Sequence, residues 1–320
     1  MTLTVLAGGL QTSVQDLGRF GYRHLGVGVS GALDGYSLRV ANALVGNPPS
    51  SSALEITLAG PRLRFDRAAR IAITGAEIDA HVEGVAIPGW RTIDLPRGCE
   101  LFLGACRRGA RAYLAVAGGI EVPMIMGSAS TDVRGGFGGH AGRSLANGDR
   151  LRLGSSPVTR VATPEIASWW LDPETDLDFG RAASIRILPG RDFLRADTPI
   201  DAGFFQISPQ SNRQGLRLHG PALSLVDTRE RLSEPVAPGT IQLPPDGQPI
   251  VLLAEAQTIG GYPRIGHVIA ADLPRLAQLR PGDTLRFELV DATEARALTC
   301  AQRQRLARIG LAIEQRRRDS

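Results

Sequence analysis

The densest group of chemistry-bearing residues lies between Gly239 and Arg264, in the stretch GTIQLPPDGQPIVLLAEAQTIGGYPR. Gln242, Gln248, Glu255, Gln257, Thr258 and Tyr262 supply hydrogen-bonding groups where loops meet strands. Beside them, Gly260 and Gly261 permit close approach of a ligand, because glycine has no Cβ and reaches φ > 0. Such a density of mostly uncharged donors and acceptors next to two glycines points to a polar site built on strands. A second group stands near the start: Gln15, Asp16 and Arg19, with Arg23 and His24, in a loop carrying Gly18, Gly21, Gly26, Gly28 and Gly31. Its spacing is not that of a GxGxxG turn opening a helix, so it gives little support to a dinucleotide site. A third group is SNRQGLRLHG, where Leu216 and Leu218 alternate with Arg213 and Arg217. An extended chain puts residues 213, 215 and 217 on one face, and two guanidiniums there suit a carboxylate or phosphate. Glu55, in LEITLAG, either faces solvent or points into a site, and Glu234 lies in LSEP. The loop GSASTDVRGGFGGHAG offers Ser128, Ser130, Thr131 and an anion nest with Arg134 or the nearby Arg143.

The elements that must carry these residues are mostly strands. Leu54–Leu58, Arg62–Phe65, Arg70–Thr74, Ala80–Val82, Arg91–Leu95, Glu100–Leu103, Arg111–Val116 and Arg150–Leu153 read as short strands separated by turns, the pattern of a sandwich or barrel. Within the opening stretch, Pro244–Gly247 turns between Ile241–Leu243 and Ile250–Leu253. Three helices are expected. One follows Asp34 as N-cap, buries Leu38, Ala41, Leu44 and Val45, and stops at Gly46. A short one follows Asp272 with Leu273, Leu276 and Leu279 inward, and a terminal one spans Asp291–Arg318. A leucine, a glycine turn and a strand recur at Leu95, Leu145 and Leu279, which fits two related β-domains. The expected division is an N-terminal barrel-like domain over 1–154, a linker over 155–183, and a C-terminal barrel with its terminal helix over 184–320.

Composition narrows the function. None of the 36 basic residues is a lysine, which excludes a P-loop lysine, a Schiff-base lysine and biotinyl-lysine on this chain. Cys99, Cys106 and Cys300 show no CxxC spacing, arguing against a zinc site or disulfide framework. Cys99 and Cys106 read as buried small hydrophobes. The Arg303–Arg318 tail is basic but not interleaved with aromatics, so nucleic acid is not expected. No apolar run reaches the ~18 residues of a membrane span, and the N-terminus lacks a basic signal-peptide n-region; a cytoplasmic protein is expected.

Five motifs carry a family resemblance: TSVQDLGRFGYRHLGVGVSGALDGYSLRVANALVGN, LEITLAGPRLRF, RAYLAVAGGI, SNRQGLRL and SEPVAPGTIQLPPDGQPIVLLAEAQTIGGYPRIGHVIAADL. In these the chain resembles the C-type subunit of bacterial 5-oxoprolinase, a family also described as allophanate hydrolase subunit 2 or biotin-dependent carboxyltransferase and related to part of urea carboxylase. The likeness extends to about Val290. Departures include Asn212-Arg213-Gln214-Gly215 where the family often has Asp-Arg-Met-Gly, and Glu255 and Ile259 where it often has Asp and Thr. The resemblance implies a mainly β fold of two cyclophilin-like β-barrels. It implies a subunit of an ATP-dependent 5-oxoprolinase, possessing activity only with B-like and A-like partner subunits, that opens the lactam 5-oxo-L-proline to L-glutamate. Phosphorylation of the amide oxygen makes a leaving group, and arginines and backbone N–H groups stabilise such charge. ATP, with Mg²⁺ as a further candidate, is the implied cofactor, and a lysine-free chain would hold it through Arg213 and the glycine loops. Within the matching motifs catalysis is assigned to Asp16, Arg213 and Glu234. Binding of substrate or nucleotide is assigned to Gln15, Arg19, Glu55, Gln242, Gln257, Thr258, Gly260, Gly261 and Tyr262, and no metal ligand is assigned. Two alternatives stand beside this reading. One is the carboxyltransferase component of a biotin-dependent urea or amide carboxylase, with biotin on a separate carrier. The other is a non-enzymatic regulatory partner of a B-like subunit.

Overall fold

The computed structural model describes residues 2–155, 161–173, 177, 180, 182–193, 199–201, 203–225 and 232–318. Parts of the stretch expected as a linker therefore lie outside the described residues. Two compact units emerge. One comprises Met1–Arg19, Ser30–Leu177 and Arg305–Ser320; the other comprises Phe20–Val29 and Asp178–Gln304. The fold is mainly β, as expected, with three α-helices among the described residues.

In the first unit an eleven-stranded sheet runs in the order Glu165–Ile166, Thr92–Leu95, Ala69–Val82, Glu100–Val116, Arg62–Phe65, Thr2–Ala7, Arg150–Leu153 and Ile120–Glu121. Ala53–Thr57 branches off Glu100–Val116 and pairs in turn with Gln11–Gln15. Among the described residues the pairing path of this sheet is open, and one closed barrel is formed, in the second unit. Ala69–Val82 and Glu100–Val116 are two long strands where the sequence pattern suggests four short ones. They stay paired from Ile71↔Val116 to Val82↔Leu101, and the polar break at Gly75–Asp79 is taken up as register shifts. Gly75 sits at φ +79°, and a Cβ there would lie 2.3 Å from the carbonyl oxygen of Arg111, so the bend needs glycine. Alternating residues such as Leu3, Val5, Leu63, Phe65, Ile71 and Leu114 fill the core between these strands. Burying each such side chain contributes about 1.5–3 kcal/mol.

Helix α1 (Gly35–Val45) belongs to this unit. Asp34 caps it by accepting from the Ser37 N–H at 2.9 Å, and Gly46 ends it in the left-handed conformation, as the sequence indicates. Asn42 is buried inside the helix. It donates to the Ser51 carbonyl at 2.7 Å and accepts from the Asn47 side chain, which settles its otherwise costly position.

The second unit is built on a closed seven-stranded barrel in the order Ala182–Pro189, Arg264–Val268, Thr240–Gln242, Ile250–Leu252, Gly215–His219, Phe205–Ile207 and Thr284–Leu289. Every pairing is antiparallel except the closing one between Ala182–Pro189 and Thr284–Leu289. The Phe205 and Phe287 rings lie 5.8 Å apart in the buried interior. The hairpin expected around Pro244–Gly247 is present, with the Gly247 N–H donating to the Pro244 carbonyl. Helix α2 (Leu273–Ala277) has Asp272 at its N-cap position, as expected, but the Asp272 side chain makes no cap hydrogen bond. Its fully buried carboxylate instead accepts from the Arg186 N–H at 2.7 Å and Nε at 2.9 Å, a charge-assisted fork stronger than a cap. Helix α3 (Ala292–Arg318) begins in this unit, and its residues from Arg305 onward are grouped with the first.

Candidate functional site

The sequence-predicted site residues divide between the units. Gln15, Asp16, Arg19 and Glu55 lie in the first; Arg213, Glu234, Gln242, Gln257, Thr258, Gly260, Gly261 and Tyr262 lie in the second.

In the barrel unit, Gln242 ends the strand Thr240–Gln242 and is only 1% exposed. Its Oε1 accepts from Gln257 Nε2 at 3.2 Å. Its own Nε2 is buried and has no partner among the described residues. A buried donor left unmet costs about 1–3 kcal/mol, so an acceptor brought to this group would be bound favourably. A Cβ on Gly260 would stand 2.5 Å from that nitrogen; glycine at 260 makes room for the carboxamide. The short ribbon Glu234–Pro235 with Ile259–Gly260 places Glu234 opposite Gly260, which brings Glu234 to the same patch. Glu234 pairs with both Arg191 and Arg264, and Arg264 also donates to the Pro235 carbonyl at 3.2 Å. One carboxylate thus faces two guanidiniums. Thr258 is buried and braces the ribbon through its carbonyl, which accepts from the Val236 N–H. Tyr262 is 47% exposed, and Gly261 is half-buried beside it.

Arg213 has a different place. It precedes the strand Gly215–His219 in a turn and is 2% exposed, while Arg217 is exposed, so the two do not share a face. Its Nε donates to Glu255 Oε1 at 2.6 Å, and both side chains are nearly inaccessible. The Glu255 N–H donates back to the Arg213 carbonyl and the Leu253 N–H to that of Gln214. Arg213 therefore already holds a carboxylate, that of its own chain, and clamps the turn leading to Gln257.

Two residues outside the predicted set belong to this neighbourhood. Arg23 donates to the Val236 carbonyl, has no carboxylate partner among the described residues, and is lowered in pKa by burial. It is 213 positions away in the chain, and only its loop composition hinted at it. His267, opposite Thr240 in the barrel, lies with Nδ1 3.4 Å from Thr240 Oγ1, and burial pushes its pKa below the ordinary value. The hydroxyl already accepts from the Ala237 N–H, so its proton is free to go to the imidazole.

In the first unit, Asp16 is buried and tied down by four hydrogen bonds. It accepts from the Gly18 and Ala129 N–H groups and from Ser128 Oγ, each at 2.7 Å, and from Ser130 Oγ. Three of the four bonds end on Oδ1 and one on Oδ2, so the buried carboxylate staples the glycine-rich loop to Ser128–Ser130. Gln15 braces the same loop by donating to Ser13 Oγ and the Thr131 carbonyl. Arg19 donates to the Ser130 carbonyl with its guanidinium 4.7 Å from the centre of the Phe137 ring. Glu55 does not face solvent: it is 1% exposed and accepts from Tyr113 Oη at 2.7 Å and the Leu33 N–H at 2.8 Å. Tyr113 Oη in turn accepts from the Asp34 N–H, so this chain of bonds fixes the start of α1. Burial, then Glu55 and Asp34, hold the Tyr113 hydroxyl far above its ordinary pKa.

The residues present do not form a triphosphate cradle at the places the sequence suggested. Arg213 is committed to Glu255. The loop 127–142 is packed on itself: a Cβ at Gly138 would meet the Ser130 carbonyl at 2.2 Å, and one at Gly139 would meet Thr131 Oγ1 at 1.8 Å. Arg143 pairs with Asp149 at 2.7 Å, and its guanidinium, with the Ala146 N–H and His140, holds that carboxyl well below the usual range.

The barrel thus carries one strand-built patch of two carboxamides, a glycine pair and the Glu234, Arg191 and Arg264 charges. The chain belongs to the carboxyltransferase domain family comprising subdomains A and B, which it matches over residues 25–289. It is 42% identical over 298 residues to the C-type subunit of 5-oxoprolinase from Escherichia coli, covering 92% of this chain and 93% of that protein. The corresponding 5-oxoprolinase subunit from Haemophilus influenzae is 35% identical, with 90% and 91% covered. Among solved structures, the urea amidolyase of K. lactis superposes with a TM-score of 0.88 at 32% identity, over 96% of this chain but only 20% of that much longer one. Among the described residues no helix is long and apolar enough to cross a membrane.

Proposed function

We propose that this chain is the C-type subunit of an ATP-dependent 5-oxoprolinase, which opens 5-oxo-L-proline to L-glutamate together with A-like and B-like partner subunits. The observation that carries the reading is the end-to-end likeness to the E. coli subunit, which leaves almost no length of either chain unmatched. The barrel patch supports it chemically. A lactam presents one carbonyl acceptor and one N–H donor on adjacent atoms, and the Gln242–Gln257 carboxamides offer the complementary pair. The substrate's carboxylate is met by Arg23, or by the guanidinium charge that Glu234 leaves unbalanced on Arg191 and Arg264. The nucleotide is held elsewhere in the complex, and Asp16, Arg213 and Glu55 act by positioning their own surroundings.

Co-expression with A- and B-like subunits, followed by assay of glutamate release from 5-oxoproline and ATP, tests this. Turnover that requires all three chains, and that falls at least about tenfold in Gln242→Ala with assembly intact, is the expected result. A folded, assembled complex that releases no glutamate overturns it. The structural likeness to the urea amidolyase region favours a second reading, a carboxyltransferase using a separate biotin carrier. Carboxylation of urea on adding a biotinylated carrier protein would select that one.

A further inference from the structure

In the first unit, a groove of about 310 Å³ lies beside the sheet edge formed by Glu165–Ile166 and Thr92–Leu95, with the last turn of α3 on its rim. Its volume is at the lower end of the ~300–1,000 Å³ typical of small-molecule sites. The charges lining it are distributed unevenly. Arg70 is spent on Asp94 through two bonds of 2.7 Å. Glu165 stands directly opposite Asp94 in the strand register, an unfavourable like-charge neighbour, and has no cation of its own among the described residues. Arg317 likewise has no carboxylate among the described residues, and the two make no ion pair with each other. The Arg317 guanidinium lies flat on Gly46, where a Cβ would come within 2.2–2.3 Å of it. That spot is the C-terminal end of α1, whose partial negative charge favours a cation. The guanidinium is therefore placed by the fold. Ile166 and Trp169 add apolar surface to the same lining.

We propose that this groove binds a free α-amino acid with an apolar side chain. The ammonium goes to Glu165, the carboxylate to Arg317, and the side chain lies along Trp169. A ligand carrying only one of the two charges leaves the other protein group unmatched, so the groove selects the zwitterion. The proposal concerns a place apart from the barrel patch and does not depend on the activity assigned to it.

The test is calorimetric titration of the full chain with L-phenylalanine, 3-phenylpropionate and phenethylamine. Saturable binding of phenylalanine is expected, with each single-charge analogue at least about tenfold weaker. Arg317→Gln should weaken phenylalanine and phenylpropionate and leave phenethylamine unchanged; Glu165→Gln should do the reverse with the two analogues. Both positions are exposed, and circular dichroism of each variant checks the fold. No saturation by ~10 mM phenylalanine, equal affinity for the analogues, or affinity unchanged in both variants would each overturn the proposal.

Discussion

Removing Arg213 should damage the fold before it damages chemistry. The Arg213–Glu255 pair spans 2.6 Å, with side chains 3% and 4% exposed, so neither charge is solvated if the other is lost. Breaking a buried pair from one side costs about 3–5 kcal/mol, whereas replacing both partners with apolar groups of similar volume is often neutral. Arg213→Met is therefore expected to lower stability by ~3 kcal/mol or more, and the double variant with Glu255→Leu to regain most of that. Because the chain forms two units, one global unfolding free energy is a poor measure. Hydrogen exchange at the Leu253 and Glu255 amides is better, since both donate to carbonyls of the Arg213–Gln214 turn. A loss of ~3 kcal/mol predicts exchange there faster by roughly two powers of ten in the single variant and near-native exchange in the double. Unchanged exchange in Arg213→Met, or strictly additive losses in the double variant, would refute the clamp and return Arg213 to the set of ligand-binding groups.

Three further outcomes follow from the same geometry. Asp16→Asn puts an amide donor where four donors converge, so thermal stability should fall by ~2–3 kcal/mol; loss of turnover at unchanged melting temperature would instead mark a base. Burial holds His267 below its ordinary pKa, so as pH falls past ~6.5 the unfolded chain takes up a proton that the folded one refuses. Stability should then decline with falling pH, with a limiting slope of ~1.4 kcal/mol per unit, and His267→Gln should flatten that part of the urea-midpoint profile; an identical profile in the variant would contradict it. Cys300 is exposed, while Cys99 is buried and its thiol is pushed up to about 11 by burial and then by Glu83. Iodoacetamide on the native protein should modify Cys300 and spare Cys99 and Cys106, as peptide mass mapping would show.

The parts of the fold legible in the sequence are those with local punctuation. Asp34 and Gly46 bracket α1, and Pro-Pro-Asp-Gly at 244–247 turns the hairpin that carries Gln242. Where the signal is non-local, it failed. Gly75, Glu77 and Asp79 look like an interruption, yet the partner strand bends with them and the pairing continues. Glu55 looks like a surface or site carboxylate because its hydroxyl partner, Tyr113, is 58 positions away. The apparent arginine face at 213 and 217 dissolves because residue 213 is in a turn, outside the strand whose alternation suggests that face. In the barrel patch the sequence identified the amides and glycines correctly as neighbours, since they share one hairpin and one ribbon. It could not indicate which of 36 arginines keeps an unneutralised charge beside them.

The closing strand pair of the barrel has a consequence during synthesis. Ala182–Pro189 finds its two neighbours only at Arg264–Val268 and Thr284–Leu289. At ~5–20 residues per second, the ribosome leaves both edges of that strand unsatisfied for several seconds while the intervening chain emerges. An unpaired ribbon with one apolar face is a template for pairing with other nascent chains. Yield in a heterologous host should accordingly depend on chaperone capacity and translation speed more than on the stability of the finished barrel.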